Sequence, residues 1–253
     1  MVIILIGILV TLSTGTLTGT VNEARFQQTV LKLRQIRNAM VGDPEIKENG
    51  SRTSFGFLGD IGAVPHMDHG PGILQLVTGG GFAPFAVDSA KRMSAGWNGP
   101  YLVTGSLGED PTLDSWGNPI EYRHGTNPIT IQSYGADGAA GGSGLNQDIV
   151  MSIPVESIRV TVSGFVCNNG GPYVGPTEVY LHYPDGAGVI STGSTVPNPA
   201  TGYFSFSNIP VGVRSIVLYG NSSAAPTKTV GPSVLTIDRP NYMVPCQFVD
   251  MGS

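Results

Sequence analysis

The sequence predicts an α+β fold in which a long N-terminal helix packs on a small antiparallel sheet and an all-β sandwich follows. Two observations carry this prediction. The first 42 residues have the only long apolar run and a helical repeat, whereas the last hundred alternate apolar and polar residues between turn signals. With 253 residues, the chain is long enough for more than one domain. We therefore divide it into a helix over 1–42, a globular domain over 43–154 and a β-sandwich over 155–253.

The N-terminal segment is predicted to be one helix whose two halves differ in polarity. Residues 1–12 are uncharged and strongly apolar, and apolar residues recur at helical spacing from Val21 to Met40. Gly42 and Pro44 then predict the helix end. The threonine- and glycine-rich stretch 13–20 contains mostly poor helix formers, so we expect the helix to loosen there. A cleaved signal sequence is an alternative for residues 1–12, although no basic residue precedes the run.

Composition excludes several function classes. Charged residues make up 12% of the chain and the formal net charge is −5, so no nucleic-acid partner is expected. The sequence lacks the G-x-S-x-G, phosphate-loop and H-E-x-x-H motifs. We therefore expect no catalytic residue and no enzyme activity. His66 and His69 flank an aspartate within a proline- and glycine-bounded stretch, which favours a solvated loop over a metal site.

The middle of the chain holds several motifs in a fixed order. They are Phe55-Gly-Phe-Leu-Gly-Asp-Ile-Gly62, Gly96-Trp-Asn-Gly-Pro-Tyr-Leu102, Asp114-Ser-Trp-Gly-Asn-Pro119 and Ser133-Tyr-Gly-Ala-Asp-Gly138 with Asp148. Between the last two, residues 120–123 and 129–132 alternate and predict a hairpin. Behind one apolar helix, this order resembles type IV pilins and the major pseudopilins of type II secretion. The resemblance covers residues 1–150.

The resemblance implies a filament subunit that polymerises with copies of itself through the N-terminal helix. The apolar positions expected in the filament core are Ile4, Leu5, Ile8, Leu9, Leu12, Leu17 and Val21. Members of the family usually carry a glutamate at the fifth mature position, where this chain has Leu5, and its first glutamate is Glu23. Processing by a prepilin peptidase is therefore an expectation from the family alone.

A glycine-rich loop lies between Asp137 and Asp148. Ca²⁺ takes six to eight oxygen ligands, and such a loop can supply carbonyls beside two carboxylates. On spacing alone, a solvent-exposed turn is the simpler interpretation. The pseudopilin resemblance implies a structural Ca²⁺ on Asp137 and Asp148, with Ser133 as a weaker ligand.

The C-terminal region contains the only two cysteines, Cys167 and Cys246, near the ends of strand candidates. On an exported chain this placement favours a disulfide over two buried thiols. Residues 158–253 resemble the transthyretin-like, or carboxypeptidase-regulatory, β-sandwiches through Val162-Ser-Gly-Phe-Val166, Pro176-Thr-Glu-Val-Tyr-Leu181, Thr201-Gly-Tyr-Phe-Ser-Phe206 and Asn208-Ile-Pro-Val-Gly212. That resemblance implies an accessory or adhesive module.

Together these features predict a structural subunit of an extracellular type IV pilus-like filament at the cell surface. Its partners would be copies of itself, the pilus or secretion assembly machinery, and the inner membrane before assembly. Two alternatives remain open. One is a periplasmic pseudopilin of a type II secretion system, and the other is a membrane-tethered adhesin or carbohydrate-binding protein that never polymerises.

Overall fold

The structure is a computed structural model. It describes residues 2–66, 72–104, 110–169, 171–173, 175–221, 223, 224 and 226–252, with side chains from residue 19 onward. The described residues fall into two compact units. One comprises Met1–Arg37 and Thr104–Ser152, and the other Asn38–Val103 and Ile153–Ser253. The division into 1–42, 43–154 and 155–253 stays a prediction.

The N-terminal segment is a single helix, α1, over Val2–Val41. It continues through residues 13–20, so the predicted loosening is wrong. Helix propensities differ by only about 0.7–1 kcal/mol per residue, and the helical segments on both sides already supply the costly nucleus. The predicted end is confirmed: Gly42 adopts a φ of 78°, and its N–H donates to the Asn38 carbonyl at 2.7 Å.

The first unit contains most of α1 and a three-stranded sheet. The strands are β5 (Glu121–Arg123), β6 (Ile129–Ser133) and β7 (Ile149–Ile153), in the order β5-β6-β7. β5 and β6 are antiparallel, with Tyr122 opposite Ile131, which confirms the predicted hairpin. Ile129 and Ile131 are buried because alternate residues of β6 point to the same face.

Helix α1 contacts the loop that precedes β5. The Ser115 N–H donates to Thr29 Oγ1 at 3.2 Å, and the Phe26 and Trp116 rings meet edge to face at 6.4 Å. Lys32 Nζ donates to the Asp110 carbonyl at 2.7 Å. These contacts hold the loop against the second half of the helix.

The second unit contains two larger sheets from the C-terminal region. One has the order β12-β11-β14-β15 and the other the order β13-β8-β16. Alternate residues of their strands form the core, including Val162, Leu181, Phe204, Ile216 and Leu218. The strands are β8 (Arg159–Phe165), β9 (Cys167–Asn168), β10 (Gly171–Pro172), β11 (Thr177–Pro184), β12 (Ile190–Thr195), β13 (Tyr203–Pro210), β14 (Gly212–Gly220), β15 (Lys228–Ile237) and β16 (Tyr242–Met243).

The remaining elements of this unit precede the sheets in sequence. They are β1 (Lys47–Glu48), β2 (Ser51–Arg52), the short helix α2 (Gly56–Ile61), β3 (Ala86–Asp88) and β4 (Met93–Ala95). α2 and β4 contact strands β11 and β14. Two backbone hydrogen bonds join this region to the β11–β12 loop: the Gly186 N–H donates to the Ile61 carbonyl at 2.9 Å, and the Ala83 N–H donates to the Ala187 carbonyl at 3.1 Å.

The predicted α+β fold, a long helix packed on a small pilin-like sheet, is wrong. Among the described residues, only α1 and α2 are α-helices and α2 has six residues, whereas sixteen strands lie in several sheets. The physical reason is the position of the motifs between residues 43 and 103. Their apolar side chains, such as Phe57 and Ile61, are buried within the unit that also contains the C-terminal sheets. They do not complete a sheet behind the N-terminal helix.

Candidate functional site

The glycine-rich loop after β6 forms the first candidate site. Five of its glycines have positive φ values: Gly135, Gly138, Gly141, Gly142 and Gly144. The Ala136 N–H donates to the Leu145 carbonyl at 2.9 Å, which closes the loop at its base. Glycine is required at position 142, because a Cβ there would lie 2.5 Å from the Asn146 carbonyl oxygen. The loop is therefore a defined turn.

The two predicted acidic ligands bracket this loop. Asp148 is half-buried; one of its oxygens accepts from Gln132 Nε2 at 3.1 Å and the other from the Gly141 N–H at 3.0 Å. Asp137 is exposed and accepts from the Ala139 N–H at 3.2 Å. Carboxylates and backbone carbonyls are the donors that a hard cation such as Ca²⁺ prefers, so the chemistry of this loop fits that ion.

The third predicted ligand, Ser133, lies in β6 beside the Asp114 turn. Its side chain is fully buried, and its hydroxyl donates to Asp114 Oδ2 at 2.6 Å. Asp114 also accepts from the N–H groups of Trp116 and Asn118, both at 2.9 Å. The serine therefore anchors the Asp114 turn to β6.

The described parts of the chain contain no group of three or more His, Cys, Asp or Glu side chains placed to hold a metal ion. His66 is half-buried, and its main chain pairs with the Gln75 side chain. His69 lies outside the described residues. The Ca²⁺ site on Asp137 and Asp148 therefore stays a prediction.

The predicted disulfide is present. Cys167 in β9 is bonded to Cys246, which lies 79 positions later in sequence, and their Cα atoms are 5.8 Å apart. The Met251 N–H donates to the Cys167 carbonyl at 2.7 Å. The disulfide and this hydrogen bond therefore join the C-terminal segment to strand β9. Closing a loop of this length contributes about 4 kcal/mol in the chain-entropy model.

A buried polar cluster in the second unit was not predicted. Arg214, on β14, is 1% exposed and donates to the carbonyls of Pro210, Val211, Val213 and Gly59 at 2.6–3.0 Å. Burial lowers the pKa of Arg214 to about 9, which leaves the guanidinium charged at neutral pH. The missed signal is one arginine inside the apolar run from Val211 to Tyr219.

Asp60 and Tyr101 complete this cluster. The Tyr101 hydroxyl donates to Asp60 Oδ2 at 2.9 Å. Burial raises the pKa of Asp60, although the Tyr101 hydrogen bond and the charge of Arg214 oppose that rise. Burial also raises the pKa of Tyr101. Asp60 and Tyr101 line a cleft of about 450 Å³, together with Thr53, Ser94 and Val213.

The predicted filament-core residues belong to α1. The side chains of Ile4, Leu5, Ile8, Leu9, Leu12 and Leu17 lie outside the described set, and Val21 is 50% exposed. Among the residues that the structure describes, no helix is both long and apolar enough to cross a membrane.

One segment of the chain matches a known protein family. The family described as "Type II secretion system (T2SS), protein G" matches residues 81–152. This segment is therefore pseudopilin-like, and it contains the Asp114 turn, the β5–β6 hairpin and the glycine-rich loop. No curated protein matches the chain.

Proposed function

We propose that the chain is a structural subunit that polymerises into a type IV pilus-like filament on the cell surface. The observation that carries this proposal is the order of its parts. A helix of 40 residues precedes a segment that matches the type II secretion pseudopilin family. A β-rich region then follows the segment.

Helix α1 is the polymerising element. At a rise of 1.5 Å per residue it is about 60 Å long, and no charged residue precedes Glu23. Packing Ile4, Leu5, Ile8, Leu9, Leu12, Leu17 and Val21 against neighbouring helices stabilises the assembly by about 25 cal/mol for each Å² of apolar surface removed from water. The exposure of Val21 in the single chain leaves its side chain free for such a contact.

The C-terminal region is the outward decoration. In this proposal it is a transthyretin-like module without catalytic activity, held by the Cys167–Cys246 bond. A disulfide of this kind persists in oxidising compartments such as the periplasm and the cell surface. The chain thus acts through assembly with copies of itself, helped by the pilus or secretion machinery.

Calcium has a structural role in this proposal. Asp137 and Asp148 would hold the ion together with carbonyl groups of the glycine-rich loop. Bound there, Ca²⁺ would neutralise the two carboxylates. The loop residues position their oxygens and perform no chemistry.

A periplasmic pseudopilus is the second candidate, favoured by the family description of residues 81–152. A pseudopilin assembles with the secretion machinery in the cell envelope and forms a short fibre. The extra β-rich region favours the surface filament, because a bulky module is more easily accommodated outside the cell than within a secretion channel.

Electron microscopy of material sheared from producing cells tests the proposal. We expect long filaments whose constituent, identified by mass spectrometry, is this chain. If the chain is absent from sheared filaments and co-purifies with secretion machinery in the envelope, the pseudopilus replaces the pilus. A monomeric chain in detergent that is never found in a fibre would overturn both.

A further inference from the structure

Open strand edges are the feature of the C-terminal sheets that points to a further contact. Unpaired edge strands recruit other strands, and proteins protect them with charges, prolines, irregularities or short length. β15 carries Lys228 and Pro232. β13 has a register shift between Phe206 and Ile209, and β16 has two residues. Three of the four outer strands are therefore protected.

β12 has none of these protections. It ends its sheet, and its sequence Ile-Ser-Thr-Gly-Ser-Thr contains no charge and no proline. It pairs without a break along β11, from Ile190 opposite Pro184 to Thr195 opposite Val179. A strand offers N–H and C=O groups on both sides, and in the described part of the chain only one side of β12 is paired with a strand.

The segment of the chain that contains β12 is also uncharged. No Lys, Arg, Asp, Glu or His occurs between Asp185 and Arg214, a span that contains β12 and β13, which contact each other. Val189 and Val196, at the two ends of β12, are 52% and 72% exposed. Two copies of a chain with a net charge of −5 repel each other, and this segment contributes no charge of its own to a contact between them.

We infer that β12 pairs antiparallel with β12 of a second copy, which joins two four-stranded sheets into one. A two-fold axis perpendicular to the sheet at Gly193 places Thr192 opposite the second copy's Ser194. It also places Ile190 opposite the second copy's Val196. Hydroxyl side chains then pair on the face exposed to water, and an apolar pair closes each end. This contact is separate from the helix-mediated polymerisation proposed above.

Cysteine cross-linking of the full chain in detergent tests this pairing. In the proposed register the two Gly193 Cα atoms lie about 4.5–5.5 Å apart, within disulfide range. A Cβ at Gly193 meets Tyr183 and Phe206 at ordinary distances of 3.4–3.5 Å, so Gly193→Cys is sterically accommodated. We expect this variant to form a covalent dimer on mild oxidation, detected by non-reducing electrophoresis and intact mass.

Two further variants make the experiment specific. Ser207→Cys places a thiol on the exposed part of β13 and is expected to remain monomeric. Ser194→Lys added to Gly193→Cys places two lysines close together across the pair and is expected to reduce dimer formation at least tenfold. A folded Gly193→Cys chain that stays monomeric overturns the proposal, as does a dimer unaffected by Ser194→Lys. Filament formation is scored separately, so loss of filaments with retained cross-linking contradicts only the proposed function.

Discussion

Arg214 Nη1 donates a 3.0 Å hydrogen bond to the carbonyl of Gly59, although the two residues are 155 positions apart in sequence. This bond joins helix α2, which precedes the pseudopilin-like segment, to strand β14 of the C-terminal sheets. The second unit is therefore built from two parts of the chain that the sequence assigns to different domains.

The first prediction concerns this arginine. Arg214→Met removes the donors that four backbone carbonyls use, and the hydrogen bonds to Pro210 and Val211 among them are buried. Because such groups lose hydrogen bonds to a charged partner, we expect the free energy of unfolding to fall by about 3 kcal/mol. Urea unfolding of the full chain in detergent measures the change. Arg239→Met is the control, since the Arg239 side chain is 70% exposed. Equal stability of the two variants would contradict the role of Arg214.

The second prediction concerns Gly62, which ends α2 with a φ of 86°. A Cβ at this position would lie 2.2 Å from the Pro184 carbonyl oxygen, so Gly62→Ala must separate α2 from β11. Gly50→Ala is a matched control, because Gly50 has a φ of 80° and no atom within 4 Å of the added Cβ. The Gly50→Ala control therefore measures only the cost of placing an alanine at a positive φ, which is about 1 kcal/mol of folding free energy.

We expect Gly62→Ala to lower the midpoint of thermal unfolding by clearly more than Gly50→Ala does. Circular dichroism of both variants provides the measurement. Equal shifts would mean that α2 does not pack on β11 as described.

The third prediction concerns the pH dependence of stability. Burial raises the pKa of Asp60 in the folded state, so the folded chain binds a proton more tightly than the unfolded chain. The contribution of Asp60 to stability is therefore full below its unfolded pKa of about 4 and is lost as pH rises through the folded pKa. Asp60→Asn should remove this loss and keep an acceptor for the Tyr101 hydroxyl.

Asp88→Asn is the control with the opposite sign. Hydrogen bonds from Lys91 lower the pKa of Asp88, so its contribution is present above the unfolded pKa and is lost as pH falls. Urea unfolding as a function of pH distinguishes the two variants. If the free energy of unfolding of the wild-type chain equalled that of Asp60→Asn at every pH, the burial of the Asp60 carboxylate would be contradicted.

The fourth prediction concerns calcium. Ca²⁺ should raise the unfolding temperature of the wild-type chain, because a ligand that binds only the folded state stabilises it. Asp137→Asn and Asp148→Asn each remove one negative ligand and should weaken the response at least tenfold in Ca²⁺ concentration. Ser133→Ala should keep the same Ca²⁺ response from a lower starting stability, since its hydroxyl is bonded to Asp114. An unchanged response in both aspartate variants would exclude this loop as the site.

Local patterns predicted individual elements well. The helix end at Gly42, the β5–β6 hairpin and the Cys167–Cys246 bond follow from residue types and spacing, and the structure confirms them. The loosening at residues 13–20 was wrong because propensity is weak against a continuous helix. The hydrogen bond of the Ser133 hydroxyl to the buried Asp114 was not predicted.

Long-range packing could not be predicted from the same patterns. Nothing in the motif Phe55–Gly62 specifies that its carbonyls accept hydrogen bonds from Arg214 and Arg159. Both arginines lie about a hundred or more positions later in sequence. The apolar faces of α2 and β4 are equally compatible with several partner sheets. The hydrogen bonds that select one partner have backbone carbonyls as acceptors, and every residue has such a carbonyl, so the sequence does not mark them. The fold class was therefore wrong although many single elements were right.

The most direct test of the central claim is filament formation by Ile8→Asp, with Ile8→Leu as the volume-matched control. A charge within the apolar part of α1 cannot be buried against neighbouring helices without a large desolvation cost, and residue 8 lies far from the β-rich region in sequence. Counting filaments by electron microscopy, we expect none for Ile8→Asp and normal numbers for Ile8→Leu, with equal amounts of folded chain in the cells. Normal filaments of the Ile8→Asp chain would contradict polymerisation through this helix.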